Sequence, residues 1–171
     1  MLMEHKLSSS IVGCYESACK ASMIASPSSK NPLTKAEIMT LMPSKPPYLF
    51  IDRVIYSDNE THSIVATFTV QDDDQTFAGH LPRNPLFPGM LQVEAISQVG
   101  LLQALIEKGT TKSDRNAVTH LCGGRFLAPI IPPKSVYINV TLFWESLFYT
   151  AVGQIVNNQE VCAAAIVRGL I

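Results

Sequence analysis

The chain has 171 residues, 47% of them hydrophobic and 16% charged, with a formal net charge of −1. That length supports one substantial core in a single domain. The near-neutral charge excludes a protein whose main partner is nucleic acid, because phosphate neutralisation needs clustered Lys and Arg. No apolar run reaches the roughly eighteen residues that cross a bilayer, so no membrane span is expected. The cysteines at 14, 19, 122 and 162 form no CxxC pair and do not fall at zinc-ligand spacing. They read as free thiols in a reducing, cytoplasmic compartment, with Cys122 and Cys162 as small core residues and no metal or cofactor.

In chain order, residues 1–32 form a Ser-rich extension containing Ser8-Ser9-Ser10 and Ser26-Pro27-Ser28-Ser29. Its apolar pieces are too short for a secretory segment, and it lacks the Arg of an organellar transit peptide. A helix around Tyr15 to Ile24 is expected to dock on the main domain, residues 33–171. Thr34-Lys35-Ala36-Glu37 is a capping box, with Leu33 and Ile38 placed as a hydrophobic staple. The helix it starts must be short, because Pro43 and Pro46-Pro47 follow. Tyr48 to Tyr56 reads as a strand, Ser57 to Glu60 as a turn, and Ser63 to Val70 as the returning strand of a hairpin. Gln71 to Pro88 is loop, dense in Asp, Gly and Pro. Gly89 to Glu107 is the one long helical pattern, followed by four strand-like runs near 117–127, 135–144, 147–156 and 161–169. Asn157-Asn158 supplies the turn between the last two. This order suggests an α+β domain, an antiparallel sheet packed on a single central helix.

That helix is unusual. Between Met90 and Ile106 its only charged residue is Glu94, and its apolar residues lie on several faces. A helix that is apolar nearly all round is buried or spans a membrane, and Gln92, Gln98 and Gln103 argue against the membrane. Glu94 then needs hydrogen bonds or a cleft, since an ionised carboxylate in apolar company is costly. The bland alternative is that this face simply meets solvent.

The loop Gly79-His80-Leu81-Pro82-Arg83-Asn84-Pro85-Leu86-Phe87-Pro88-Gly89 feeds into the helix. Three prolines stiffen it, which can hold His80 in one place. A lone loop histidine is ordinarily a surface or packing residue. Here it lies beside a helix start whose N–H groups, at Gly89 and Met90, can stabilise an oxyanion. A base, an acid and an oxyanion site together suit proton abstraction alpha to a carbonyl, followed by loss of a beta leaving group.

The run Gly79-His80-Leu81-Pro82 … Pro85-Leu86-Phe87-Pro88-Gly89-Met90-Leu91-Gln92-Val93-Glu94-Ala95 … Gln98 resembles the active-site signature of the bacterial 3-hydroxyacyl-[acyl-carrier-protein] dehydratases. Tyr48 to Val54 and Arg125 to Pro133 are similar to the same family's early strand and post-helix turn. The resemblance implies the hotdog fold, an antiparallel sheet wrapped around one long central helix. It also implies that His80 removes the alpha proton and Glu94 handles the departing hydroxyl. Gly89 would polarise the thioester carbonyl, Leu86 would orient His80 through its carbonyl, and Gln98 would support the acid. In this family the histidine and the acid facing it come from different subunits, so a homodimer is implied, or a hexamer built as a trimer of dimers. Glu at position 94 looks like the broad-chain branch. Arg83 stands where the family commonly has Gly, and the neighbouring Asn84 tolerates the left-handed conformation.

The substrate implied is a (3R)-3-hydroxyacyl thioester on acyl carrier protein or coenzyme A, dehydrated to the trans-2-enoyl thioester in fatty-acid or related biosynthesis. Met90, Leu91 and Phe87 could line an acyl tunnel, although such residues are more often plain core. Arg83, Arg125 and Lys134 could dock an acidic carrier, although scattered charges usually only solvate. Two other readings stay open: a hotdog acyl-thioesterase, which would not need His80, and a non-catalytic acyl- or carrier-binding subunit.

Overall fold

The structure, a computed structural model, describes residues 7–22, 29–73, 77, 79–110 and 117–171. Of residues 117–119 only the backbone is described. The centre is helix α3, Gly89–Lys108 in chain order, where every residue from Gln92 to Leu105 except Glu94 is buried. Among the described residues it is the one helix long and apolar enough to cross a membrane by length and composition, and its burial marks it as a core helix. It ends where Gly109 takes the left-handed conformation, φ 61, and Thr110 donates back to the Leu105 carbonyl.

Around it curls an antiparallel sheet in the order β1-β2-β4-β5-β6-β3. Its strands are β1 Arg53–Asp58, β2 Ser63–Val70, β3 Ala117–Phe126, β4 Lys134–Glu145, β5 Phe148–Asn157 and β6 Glu160–Leu170. Alternate residues of β4 (Val136, Ile138, Val140, Leu142) face the helix and are buried with Ile96, Val99 and Leu102. Helix and sheet approach closely at Gly153, where an added Cβ would stand 2.5 Å from Ile96 Cγ2. The expected α+β architecture is present, and so is the tight turn after Asn157. There Asn158 and Gln159 both take positive φ, 47 and 70, as a two-residue hairpin requires.

Three expectations need correction. The strand expected over Tyr48–Tyr56 starts only at Arg53. Upstream, the Gln98 side chain takes the Phe50 N–H at 2.8 Å and the Tyr48 carbonyl at 3.1 Å, so these groups are withdrawn from any ladder. The extension's helix, α1, spans Ser9–Lys20 and not Tyr15 to Ile24. Ser8 caps it early, and Gln154 of β5 receives its end by donating to the Ala18 and Ala21 carbonyls at 3.0 and 3.2 Å. Met23 and Ile24 lie outside the described residues. Cys122 is exposed, not core, because the β3–β6 register breaks between Leu121 and Gly123 and leaves it as the extra residue of a bulge. Cys162 is buried as expected, and all four thiols are free.

The short helix α2, Lys35–Leu41, carries the full capping box, with Ile38 buried and Leu33 packed beside the core. Docking of α1 covers the outer face of the sheet, where Ala18 is buried against Val152, Ala164 and Ile166. Residues 30–33 are tied to β1 by bridges from Lys30 to Tyr56 and from Leu33 to Val54.

Candidate active site

His80 stands on the loop that enters α3. Its Nδ1 lies 3.0 Å from the Leu86 carbonyl oxygen. A carbonyl can only accept, so Nδ1 carries the proton, and in the neutral ring Nε2 keeps its lone pair. The loop is pinned at both ends: the His80 N–H donates to the Phe77 carbonyl at 2.7 Å, and the Phe87 N–H to the Ile130 carbonyl at 2.9 Å. Phe87 is 2% exposed and sits among Phe50, Phe68 and Phe77, with ring centroids 5.7 to 5.9 Å away. That aromatic cluster anchors the loop beneath the histidine. The left-handed residue of the loop is Leu81, φ 51, and not Asn84, whose N–H closes the turn onto the Leu81 carbonyl at 2.8 Å. A residue before proline is disfavoured in the right-handed α region, which leaves the loop few ways to turn here.

Next to His80 opens a cleft of about 480 Å³ walled by His80, Leu86, Phe87, Gly89, Met90 and Gln92 on one side and by residues 126–130 on the other. Pro88, the N-cap of α3, has no side-chain hydrogen bond to give the helix. The N–H groups of Gly89 and Met90 therefore have no partner among the described residues and carry the positive end of the helix dipole. A Cβ at position 89 would stand 2.9 Å from the Phe126 ring, so glycine there lets that exposed ring lie close over the helix start.

Glu94 lies one turn further along and is partly exposed, the break in an otherwise buried helix. The Gln98 amide donates to its carboxylate at 2.8 Å while holding the backbone of Tyr48 and Phe50. Glu94 thus has the hydrogen-bonded setting that a carboxylate in apolar company needs. It is not among the residues that wall the His80 cleft. Within one chain, the structure gathers His80, Leu86, Gly89, Met90 and Phe87 at one cleft, and pairs Glu94 with Gln98 beside it.

The remaining expected residues fall less neatly. Met90 is 63% exposed at the cleft, whereas Leu91 packs against the core outside it. Arg83 and Arg125 are exposed and Lys134 is half-buried. The Arg125 guanidinium lies over the Tyr15 ring of α1, 5.9 Å from its centroid. Sequence reasoning missed Gln92 and Phe126 as cleft residues. Gln92 carried a signal, being a polar residue three positions after Gly89 at the helix start. Phe126 carried none, since an aromatic at a strand end reads as core.

A sequence profile of the FabA-like domain matches residues 42–165. The 3-hydroxyacyl-[acyl-carrier-protein] dehydratase FabZ of Vibrio campbellii is 31% identical over 138 residues, which cover 79% of this chain and 91% of that protein. The enzyme of the same name from Xanthomonas euvesicatoria is 42% identical over 69 residues, 40% of this chain and 45% of that protein, so there the match spans less than half of the relative. Among solved structures, the dehydratase heterocomplex ApeI:P from Xenorhabdus doucetiae superposes with a TM-score of 0.61 at 17% identity. The superposition covers 78% of this chain and 89% of that one, a likeness of the hotdog fold. On the profile match and the near full-length FabZ relative, the chain belongs to the FabA-like family of hotdog-fold proteins that includes the FabZ dehydratases.

Proposed function

We propose that this chain dehydrates (3R)-3-hydroxyacyl thioesters, carried on acyl carrier protein, to trans-2-enoyl thioesters in fatty-acid or related acyl-chain biosynthesis. The observation that carries the reading is the cleft in which His80, its Nδ1 bonded to the Leu86 carbonyl, stands beside helix-start N–H groups that have no partner among the described residues. With the thioester oxygen on the Gly89 N–H, the alpha C–H bond gives its proton to His80 Nε2 and its electrons to the carbonyl. As the enolate collapses to the alpha-beta double bond, the C3–O bond breaks and Glu94, as the carboxylic acid, supplies a proton to the departing hydroxyl. One water leaves, and the proton taken by His80 balances the proton given by Glu94. Gln98 holds the Glu94 carboxyl in one orientation.

The acid comes from a second copy of the chain in this reading, so the working unit is a homodimer, alone or in a trimer of dimers. Support comes from Glu94 lying outside the wall of the His80 cleft. It comes also from the edge strand β3, which leaves Leu121 and Phe126 exposed, with Leu127 and Ile131 exposed just beyond it. Residues 33–171 are the catalytic domain and 1–32 an extension, and the enzyme works in the cytoplasm. Met90 and Phe87 form the start of the acyl path, and Arg83, Arg125 and Lys134 meet the acidic carrier.

The test is to follow enoyl absorbance while the purified protein acts on a short trans-2-enoyl or 3-hydroxyacyl thioester, with His80→Ala and Glu94→Gln beside it. Interconversion that both substitutions abolish is the expected result. Release of free thiol without interconversion would mean a thioesterase, and no reaction would leave a binding subunit.

A further inference from the structure

Gln92 is 4% exposed, the first residue of the buried run of α3, and it lines the His80 cleft. Its Nε2 donates to the Phe87 carbonyl at 3.0 Å, and its Oε1 is buried with no partner among the described residues. The amide cannot be turned the other way, because an oxygen would then face the carbonyl oxygen. Burying an amide with one end unsatisfied is costly, so the donor end must be where the residue is useful.

The groups it holds lead to His80. The Leu86 carbonyl that takes the His80 Nδ1 proton belongs to the same peptide unit as the Phe87 N–H, which is tied to the Ile130 carbonyl at 2.9 Å. A trans peptide is planar, with its C=O and N–H pointing in opposite directions. Fixing the Phe87 N–H onto Ile130 therefore aims the Leu86 carbonyl away from Ile130 and at the imidazole. The next carbonyl along, that of Phe87, is the one Gln92 grips. Two successive peptide units are thus clamped, one by the strand-side backbone and one by the helix.

We infer that Gln92 is a positioning residue for His80: by holding the Phe87 carbonyl to α3, it fixes the Leu86–Phe87 peptide whose oxygen sets the Nδ1–H tautomer. The inference deepens the dehydratase reading and rests on it for its consequence in turnover. Gln92 touches neither the alpha proton nor the leaving group. Without it the Leu86 carbonyl swings, the imidazole loses its fixed acceptor, and the Nε2–H tautomer that histidine favours in water returns. That tautomer has no lone pair on the atom facing the substrate.

The test uses Gln92→Leu and Gln92→Met, each of which removes the donor together with the orphaned acceptor. Imidazole 15N shifts of His80 in the full-length protein report the tautomer, and steady-state kinetics report kcat and KM. Both variants are expected to move His80 from Nδ1–H toward Nε2–H. The expected loss in kcat is on the order of 10- to 100-fold, as for misplacement of a catalytic group, with KM within about two-fold. An unchanged tautomer in a folded variant overturns the inference. A raised KM with unchanged kcat overturns it as well, since Gln92 would then be binding substrate itself. The 15N measurement needs no turnover, so it still decides the clamp if the wild-type protein proves not to be a dehydratase.

Discussion

The Gln98 amide nitrogen sits 2.8 Å from Glu94 Oε1 and 3.1 Å from the Tyr48 carbonyl, while its oxygen accepts the Phe50 N–H at 2.8 Å. One buried side chain thus stands in for a strand partner on one side and steadies a carboxylate on the other. Gln98→Leu leaves the Phe50 N–H and the Tyr48 carbonyl without this partner. Losing it is expected to cost about 2–6 kcal/mol, from roughly 1–3 kcal/mol for each orphaned group. Urea unfolding of the variant against wild type reads that loss directly, and turnover should fall with it.

Gly153→Ala probes how closely the sheet wraps α3. The new methyl would stand 2.5 Å from Ile96 Cγ2 and 2.9 Å from Val140 Cγ2, both inside the core. Overpacking of this kind is expected to cost at least about 1–3 kcal/mol. Pairing it with Ile96→Ala should recover part of the loss in a thermal melt, a coupling that independent sites would not show.

Much of this architecture was legible because its local signals agree. Thr34 and Glu37 announce a helix start, Asn157-Asn158 a hairpin, and a helix carrying Glu94 as its lone mid-helix charge can hardly be exposed. The start of β1 was not legible, because Tyr48 to Asp52 has strand composition yet the Tyr48 carbonyl and the Phe50 N–H go to Gln98, a partner 48 to 50 residues away. Cys122 was misplaced because a bulge is set by register, which one strand's sequence does not carry. In the site, His80, Leu86 and Gly89 were readable since they adjoin one another in the chain. Phe126 and Gln92 reach the cleft through tertiary packing, and the separation of Glu94 from the cleft wall appears only in three dimensions.

Leu81 holds φ 51 while half of its side chain is exposed. The left-handed conformation costs an ordinary residue about 1–2 kcal/mol and glycine nothing. Leu81→Gly is therefore expected to raise stability by up to about 1 kcal/mol, after the extra unfolded-state entropy of glycine is counted. Leu81→Ala should give no gain. Thermal melts of the two variants side by side check this.

Asp58 is held down to about 2, first by the hydrogen bond from Lys30, then by the Glu60 N–H, with burial opposing both. A carboxyl depressed in the folded state adds stability that is complete above its unfolded value near 4 and disappears as pH falls through about 2. Lys30→Met should thus lower the urea midpoint at neutral pH and lose that difference by about pH 2. The Lys30–Asp58 pair at 2.9 Å ties the segment before α2 to the end of β1, so the effect reports attachment of that segment.

In a site shared between subunits, as proposed above, His80 of one copy and Glu94 of another would act on one substrate. Inactive His80→Ala and Glu94→Gln proteins, unfolded together in equal amounts and refolded, form hybrids in about half of the dimers, each with one intact site. Dehydration should return to roughly one-quarter of the wild-type rate by that count. A mixture as inactive as its two components would contradict a site shared between subunits.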